Sequence, residues 1–321
     1  MSTLKDIANE AKVSVITVSR VVNTPEMVKD ATRKRVEAAM KKLKYSPNPV
    51  AKALVTNRTG VIDVYIPQSI DLSNPFAMYF IAGISEVLSS KMYSFLIRRD
   101  RDKEHTCDGY IATGLLKSEV NEMYDYAKDR NRPLVLFGHT DIPEINCVDV
   151  DNIQGAKDIT MYLINHGHQK IAMINVDEDK DYTADRFLGY EEALKSIGKA
   201  PDDNIILKTQ NSSQGGYDAM KKMLSTEELT AVFCASDTIA LGAIRAIVES
   251  GKKVPEDISV VGFDGLGHHL LTSPHITTVE QPVFKIGKLL AETLINRVMG
   301  NKDPIKQLVK PELIIGQSVN K

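Results

Sequence analysis

The stretch AKVSVITVSRVVN, Ala11 to Asn23, is rich in β-branched residues and has the propensity of a strand, yet its apolar positions are spaced as in a helix. Ala8, Val13, Val18, Val21 and Val22 recur at helical offsets, and Thr17, Ser19, Arg20 and Asn23 fall on the other faces. Upstream, Thr3-Leu4-Lys5-Asp6 has the form of a capping box that starts a first helix through about Ala11, with Ile7 and Ala8 facing inward. A turn at Lys12-Val13 and a cap at Ser14 begin the second helix. Lys29 to Leu43 supplies a third, with Ala31, Val36, Ala39, Met40 and Leu43 apolar. Three short helices with a tight turn between the first two make a helix-turn-helix unit. The second helix presents short donors and one guanidinium, groups suited to phosphates and to the O6/N7 edge of guanine, which an ordinary three-helix mini-domain does not need.

Charge is distributed to match. Residues 1–58 hold twelve Lys/Arg and five Asp/Glu, a net +7, and the rest of the chain carries −9, so the overall −2 hides a basic head on an acidic body. A basic excess confined to a helix-turn-helix is the electrostatic footprint of a phosphate binder.

The 321 residues suffice for a small head and two further domains of ordinary size. Cys107, Cys147 and Cys234 lie far apart in or beside apolar runs, without metal-ligand spacing, as expected of buried reduced thiols. The N-terminus lacks an apolar signal core and no apolar run approaches membrane-spanning length, so the expectation is a cytoplasmic protein with no membrane partner.

After the head, Tyr45-Ser46-Pro47-Asn48-Pro49-Val50-Ala51-Lys52-Ala53-Leu54-Val55 leads into a polar exit. The segment reads equally as a tether and as a short helix capped by Asn48, with Pro49 at its first position. Such a helix would need a partner to be stable. From Val61 short apolar runs alternate with helical stretches: 61–67, 94–97, 109–112, 134–137, 171–176, 231–235 and 258–263, with helices such as 80–88, 156–166, 186–197 and 238–249. This alternation predicts parallel sheets with helices on both faces, and ligands in such sheets sit beyond the carboxyl ends of the strands. The polar residues at those ends are Gln68 to Pro75, Thr113, Gly138-His139, Asp151-Asn152, Ser236-Asp237 and Asp264. They form no catalytic set. Dinucleotide, nucleotide-triphosphate and nucleophile-elbow signatures are all missing, and His166-Gly167-His168 and His268-His269 have no ligand-spaced thiol or carboxylate and read as loop residues. No enzyme activity, cofactor or metal is expected, and scattered polar groups at strand ends suit a small polar ligand held without being transformed.

The motifs LKDIANEAKVSVITVSRVVN, YSPNPVAKAL, SNPF, HGHQKIAMI, DRFLGYEEAL, TAVFCASDTIALGAIRAI, VPEDISVVGFDG and ITTVEQP occur in one order along nearly the whole chain. In these the sequence resembles the lactose-repressor and purine-repressor family of bacterial transcription regulators. The resemblance implies an α + α/β fold: an N-terminal helix-turn-helix head at 1–45, a hinge helix and linker at 46–58, and a periplasmic-binding-protein-like core of two parallel-sheet α/β subdomains at 59–321. The N-subdomain would comprise 59–150 and 282–310, the C-subdomain 151–281 and 311–321. It implies a homodimer on near-palindromic double-stranded operator DNA and a small carbohydrate or sugar-phosphate effector in the core cleft. Val15, Ile16 and Arg20 match base-reading positions. Leu4, Ser14, Thr17, Ser19, Asn23, Val28, Lys29 and Thr32 match contacts to the DNA backbone. Leu54 matches a leucine wedged into the minor groove, with Asn48 and Ala51 beside it in the hinge. Phe76, Thr113, Asp151, Arg186, Ser236, Asp264 and Gln281 match effector-contacting positions.

The sequence departs from the family pattern at several points. Arg98 to Asp108 is shorter than a crossover helix needs, which would leave one face of a sheet bare or covered by a partner. Asn211 stands where several relatives stack an aromatic, and Gly138 where some have an acidic ligand-binding residue. The end of the chain carries no leucine heptad, so tetramers through such a tail are not expected. The reading is a sugar-responsive repressor. Its rivals are a corepressor-dependent regulator of purine or catabolite type, and a sugar-binding protein or sugar-processing enzyme without a DNA role.

Overall fold

The computed structural model describes residues 3–23, 27–45, 58–100, 105–226, 228–301 and 303–320, with the side chains of Asn23 and Thr226 excepted. Asn48, Ala51 and Leu54 of the expected hinge lie outside the described residues. The chain divides into two compact units, one of residues up to Val61 with 105–108, the other of 62–104 with 109 onward.

In the first unit the head is built from α1 (Leu4–Ala11), α2 (Val15–Asn23) and α3 (Asp30–Lys42). Thr3 and Asp6 form the capping box in full: the Thr3 hydroxyl accepts from the Asp6 N–H at 3.3 Å and the Asp6 carboxylate accepts from the Thr3 N–H at 2.8 Å. Lys12, left-handed at φ 50°, ends α1, and Ser14 caps α2 by accepting from the Thr17 N–H at 3.1 Å. The Arg35 guanidinium donates to the carbonyls of Ala11 and Lys12, so a cation satisfies the open end of α1. Ile7, Ala8, Ala11, Val18, Val21, Val36 and Ala39 are the buried core of the head, whereas Ala31 faces solvent. The chain that follows the linker is fastened by Asp108, whose carboxylate accepts from the N–H groups of Thr59 at 2.7 Å and Gly60 at 2.8 Å.

The second unit holds two parallel sheets. The first runs in the order β11-β5-β4-β3-β1-β2, from β1 (Val61–Tyr65), β2 (Ser94–Arg98), β3 (Tyr110–Thr113), β4 (Leu134–Phe137), β5 (Asn146–Val150) and β11 (Lys306–Val309). Its helices are α4 (Pro75–Ser90), α5 (Lys117–Asp129) and α10 (Val283–Val298), α4 packing on α10. The second sheet runs β7-β6-β8-β9, from β6 (Ile171–Val176), β7 (Ile206–Thr209), β8 (Ala231–Cys234) and β9 (Ser259–Val261). Here α6 (Asn152–Asn165) pairs with α7 (Asp181–Ser196), and α8 (Ser213–Thr226) with α9 (Asp237–Glu249). The returning chain adds β12 (Glu312–Ile314) antiparallel to β10 (Thr278–Glu280), and the Ser318 hydroxyl donates to the Val260 carbonyl. Each sheet has its own apolar core. Cys107, Cys147 and Cys234 are buried free thiols.

As the short Arg98–Asp108 connection implies, no helix occurs between β2 and β3 among the described residues, and β2 is an edge strand with Leu96 42% and Ile97 36% exposed. The structure amends the sequence reading elsewhere. β5, β7, β10, β11 and β12 are strands that the apolar runs do not reveal. His268 and His269 are not in an open loop but in a short 3-10 turn (His268–Leu270), where His269 is buried.

Candidate functional site

On α2 the two large apolar side chains at the start of the helix do no packing work for the head. Val15 is 43% exposed and Ile16 is 67% exposed, while Val18 and Val21 on the opposite face are buried. Arg20 is exposed on the same helix, and Thr17 and Ser19 are half-buried beside it. Lys29 is exposed, and Val28 and Thr32 are half-buried at the start of α3. Leu4 and Val28 lean on the head core, and the Ser14 hydroxyl is engaged by Thr17.

Between the two sheets, at the carboxyl ends of their strands, lies a cleft of about 860 Å³. One wall is formed by Phe76, Thr113, Phe137, Gly138, His139 and Asp149, the other by Asn152, Asp177, Tyr182, Arg186, Asn211, Asp237 and Asp264, with Gln281 where the chain crosses between them. Phe76 is fixed by the ring of Phe137 at 5.3 Å and by Phe80 at 6.2 Å.

Arg186 projects from α7 as a buried cation whose partners are set before any ligand arrives. Its Nε donates to Asn152 Oδ1 at 3.0 Å, one terminal nitrogen donates to the Ala235 carbonyl, and the guanidinium lies 3.8 Å from the ring centre of Phe263. Asp264 Oδ1 is 3.8 Å from Arg186 and accepts from Gln281 Nε2 at 2.6 Å. Burial pushes the Asp264 carboxyl up to about 7, and the neighbouring Arg186 opposes that rise. Asp264 sits at φ 139°, a conformation an L-residue adopts only when its surroundings impose it. Those surroundings centre on Asp237, whose carboxylate accepts from the Gly265 N–H at 2.8 Å and the Thr278 hydroxyl at 2.6 Å. Gly265 is required there: at φ 65°, a Cβ would lie 2.4 Å from the Glu280 Cα.

A second charged group closes the far end of the cleft. His139, two residues beyond β4, places Nδ1 3.2 Å from Asp149 Oδ2 and 3.7 Å from Asp185 Oδ2, and Nε2 3.8 Å from Asp181 Oδ1. The Asp149 hydrogen bond, reinforced by Asp181 and Asp185, raises the imidazole to about 9 against the effect of burial. Burial raises Asp185 to about 6. Lys117 Nζ lies 3.5 Å from Asp181 and the Lys117 N–H donates to the Asp179 carbonyl at 3.1 Å, so the two walls are tied at this point.

Of the residues expected at the effector, Phe76, Thr113, Arg186, Asp264 and Gln281 line the cleft. Ser236 and Asp151 do not. Each is an N-cap, Ser236 accepting from the Ile239 N–H at 3.1 Å and Asp151 from the Gln154 N–H at 3.0 Å, and Ser236 donates to Asn211 Oδ1 at 2.6 Å. Expectation and structure part here because Ser and Asp at a strand end serve a helix start as readily as a ligand. Sequence reasoning misses Asp149, which lies on β5, Tyr182 and Asp185 on α7, and Gln210 and Ser212, which follow β7, whereas Asn211, noted for its departure from an aromatic, does line the cleft.

Comparison with known proteins agrees with this architecture. Residues 3–48 match the model of bacterial regulatory proteins of the lacI family, and residues 160–319 match a periplasmic binding protein-like domain. The HTH-type transcriptional regulator YvdE of Bacillus subtilis is 37% identical, with 99% of each chain covered. Among solved structures, a transcriptional regulator CelR–cellobiose complex superposes with TM-score 0.76 at 29% identity over 99% of this chain and 100% of that one. A lac repressor dimer bound to operator and the anti-inducer ONPF superposes with TM-score 0.78 at 27% identity over 99% and 98%. The chain belongs to the lacI family of bacterial regulatory proteins.

Proposed function

We propose that the chain is a cytoplasmic, homodimeric transcription repressor whose grip on a near-palindromic operator is set by a small carbohydrate held between the two core sheets. Val15, Ile16 and Arg20 read bases, the first two against thymine methyls or other apolar edges and Arg20 against guanine. Leu4, Ser14, Thr17, Ser19, Asn23, Val28, Lys29 and Thr32 hold the DNA backbone, and the hinge supplies Asn48, Ala51 and Leu54. In the cleft, Arg186 donates to sugar hydroxyls, Asp264 and Gln281 complete the ring of polar partners, and Phe76 and Thr113 bound the opposite wall. Ser236 contributes through Asn211, which it orients, and Asp151 through the start of α6.

The observation that carries this reading is the buried Arg186 beside the half-buried Asp264, the two facing a cleft of about 860 Å³ in a chain whose head exposes Val15 and Ile16. A fixed donor beside a fixed acceptor is the chemistry a polyol needs. The lining favours a neutral sugar over a sugar phosphate: Asp71, Asp149, Asp177, Glu178, Asp181, Asp237 and Asp264 stand against Lys180, Arg186 and the imidazolium of His139. The similarity to a cellobiose complex and to an operator-bound dimer supports both halves.

The test pairs a thermal-shift screen of neutral sugars and sugar phosphates with operator binding followed by fluorescence anisotropy. A neutral sugar should stabilise the protein and lower its operator affinity. Arg20→Ala should weaken specific DNA binding by about 1–3 kcal/mol and relax preference at one base of each half-site. Tighter operator binding with ligand would make the protein corepressor-dependent, and ligand binding without any operator binding would make it a sugar-binding protein alone.

A further inference from the structure

We infer that His139, Asp149 and Asp185 form a binding site for a divalent transition-metal ion that joins the two walls of the cleft. His139 follows β4 and Asp149 lies on β5 of the six-stranded sheet, and Asp185 lies on α7 beside the four-stranded one, so the three donors reach one point from three separate segments. Their ligand atoms all lie within 4.8 Å of one another, with Nδ1 3.2 Å from Asp149 Oδ2 and 3.7 Å from Asp185 Oδ2. Donors placed about 2.1 Å from one ion stand roughly 3.0–3.5 Å apart in octahedral or tetrahedral geometry, so the two spacings to Nδ1 are near that range and the two carboxylates would close on each other as the ion binds.

The charge balance also calls for a cation. Asp149 is buried, Asp185 is half-buried, and Asp181 lies 3.8 Å from the other ring nitrogen. Lys117 Nζ already lies 3.5 Å from Asp181, so one imidazolium is shared by Asp149 and Asp185; a divalent ion bound at Nδ1 would replace the ring proton, leave the imidazole neutral and balance those two carboxylates in full. Asp149 Oδ1 is already committed to the Val150 N–H at 2.8 Å, which orients Oδ2 toward His139. The Asp185 carboxylate accepts no hydrogen bond among the described residues, and its nearest partner is His139 Nδ1. A single imidazole with carboxylates and no thiol suits Mn²⁺ or Zn²⁺ better than a soft ion. The site opens on the cleft, through His139 and Asp149, so the remaining coordination positions face the space where a ligand would sit. Because the donors come from both walls, the ion would favour the arrangement in which the walls are drawn together.

The experiment uses the full chain freed of metal by chelator, without DNA or sugar, so that its outcome is separate from that of the repressor assignment. Zn²⁺ and Mn²⁺ are titrated by calorimetry and thermal shift, with Mg²⁺ as the comparison, into the wild type, Asp185→Asn and His139→Gln. Co²⁺ absorption reports the coordination sphere. The expected result is one ion per chain, a raised Tm, and affinity at least about 10-fold lower in both variants with loss of the Co²⁺ bands. Circular dichroism matched to wild type shows that the variants are folded, and Asp185→Asn, a near-isosteric change at a partly buried position, tests the site if His139→Gln fails to fold. No saturable binding by the wild type, or binding unchanged in Asp185→Asn, overturns the proposal and leaves the cluster as an ion pair between the walls.

Discussion

The two sheets of the core follow the same plan and end differently at their edges. In the four-stranded sheet β6, β8 and β9 are buried along their whole lengths, and two helix pairs accompany them. The six-stranded sheet is equally buried through β3, β4 and β5 but opens at both edges, at β11 with Leu308 exposed and at β2 with Leu96 and Ile97 exposed, whereas the edge strand β7 of the smaller sheet is mostly half-buried. At β2 the origin is simple. A parallel strand is covered when its crossover is long enough to carry a helix, and the connection from β2 to β3 is about ten residues with no helix among those described. Burial in a parallel sheet is therefore supplied strand by strand, by each connection, and a single shortened connection uncovers one strand without disturbing the next.

Substitutions in the two sheets break or sharpen this contrast. The largest effect belongs to the sealed sheet. Phe233→Ala, at a fully buried position on β8, should cost about 3–5 kcal/mol in urea unfolding, because it removes a whole ring from the core and leaves a cavity. A loss below about 1 kcal/mol would mean that this sheet is no tighter than its neighbour. Gly265→Ala comes next. Its Cβ would meet backbone rather than a flexible side chain, and the positive φ adds strain, so a loss of about 1–3 kcal/mol with weakened effector binding is expected from melting and calorimetry together.

A pH effect follows in size. Asp264 titrates near 7, and the ionised carboxylate is the acceptor, so binding a hydroxyl-bearing ligand favours loss of the proton. Affinity should fall as pH drops, by about 10-fold between roughly pH 8 and pH 6, equivalent to about 1.4 kcal/mol. In Asp264→Asn the profile should be weak and flat through this range, and a wild-type affinity independent of pH would show that the carboxylate does not meet the ligand. The smallest effect is expected at the uncovered edge, where Leu96→Ser should change chain stability by no more than about 0.5 kcal/mol. A loss of several kcal/mol that depends on protein concentration would instead reveal that a second copy covers β2.

Much of this architecture is legible in the residues. The capping box at Thr3 and Asp6, the cap at Ser14 and the runs that become β4 and β6 are local signals, written within a few positions of one another. β5 escapes because Asn146 and Asp149 interrupt its apolar run. Both are buried, with Asn146 accepting from the Ile305 N–H at 2.6 Å and Asp149 facing His139, and those partners are distant or on another element. The cleft shows the same division. Arg186, Asp264 and Gln281 are recognisable by motif, whereas the meeting of His139 with Asp185 depends on how two sheets face each other and has no trace in spacing. Ser236 and Asp151 illustrate the reverse, since a residue chosen for its chemistry can serve a helix end instead of the cleft.

Asp237 gives the cleft a further property. By holding Gly265 and Thr278 at once, it fixes the loop that presents Asp264, and Gln281 holds the carboxylate from its other side. An acceptor on a free side chain could follow a hydroxyl from equatorial to axial, but one locked in this way meets a hydroxyl in a single direction. Two sugars that differ only in the configuration of that carbon would then be told apart, because the wrong epimer leaves a half-buried acceptor and its guanidinium neighbour without their partner. Stereochemical selectivity at Asp264 would in this sense be a product of the core's own hydrogen bonding, set before any ligand enters.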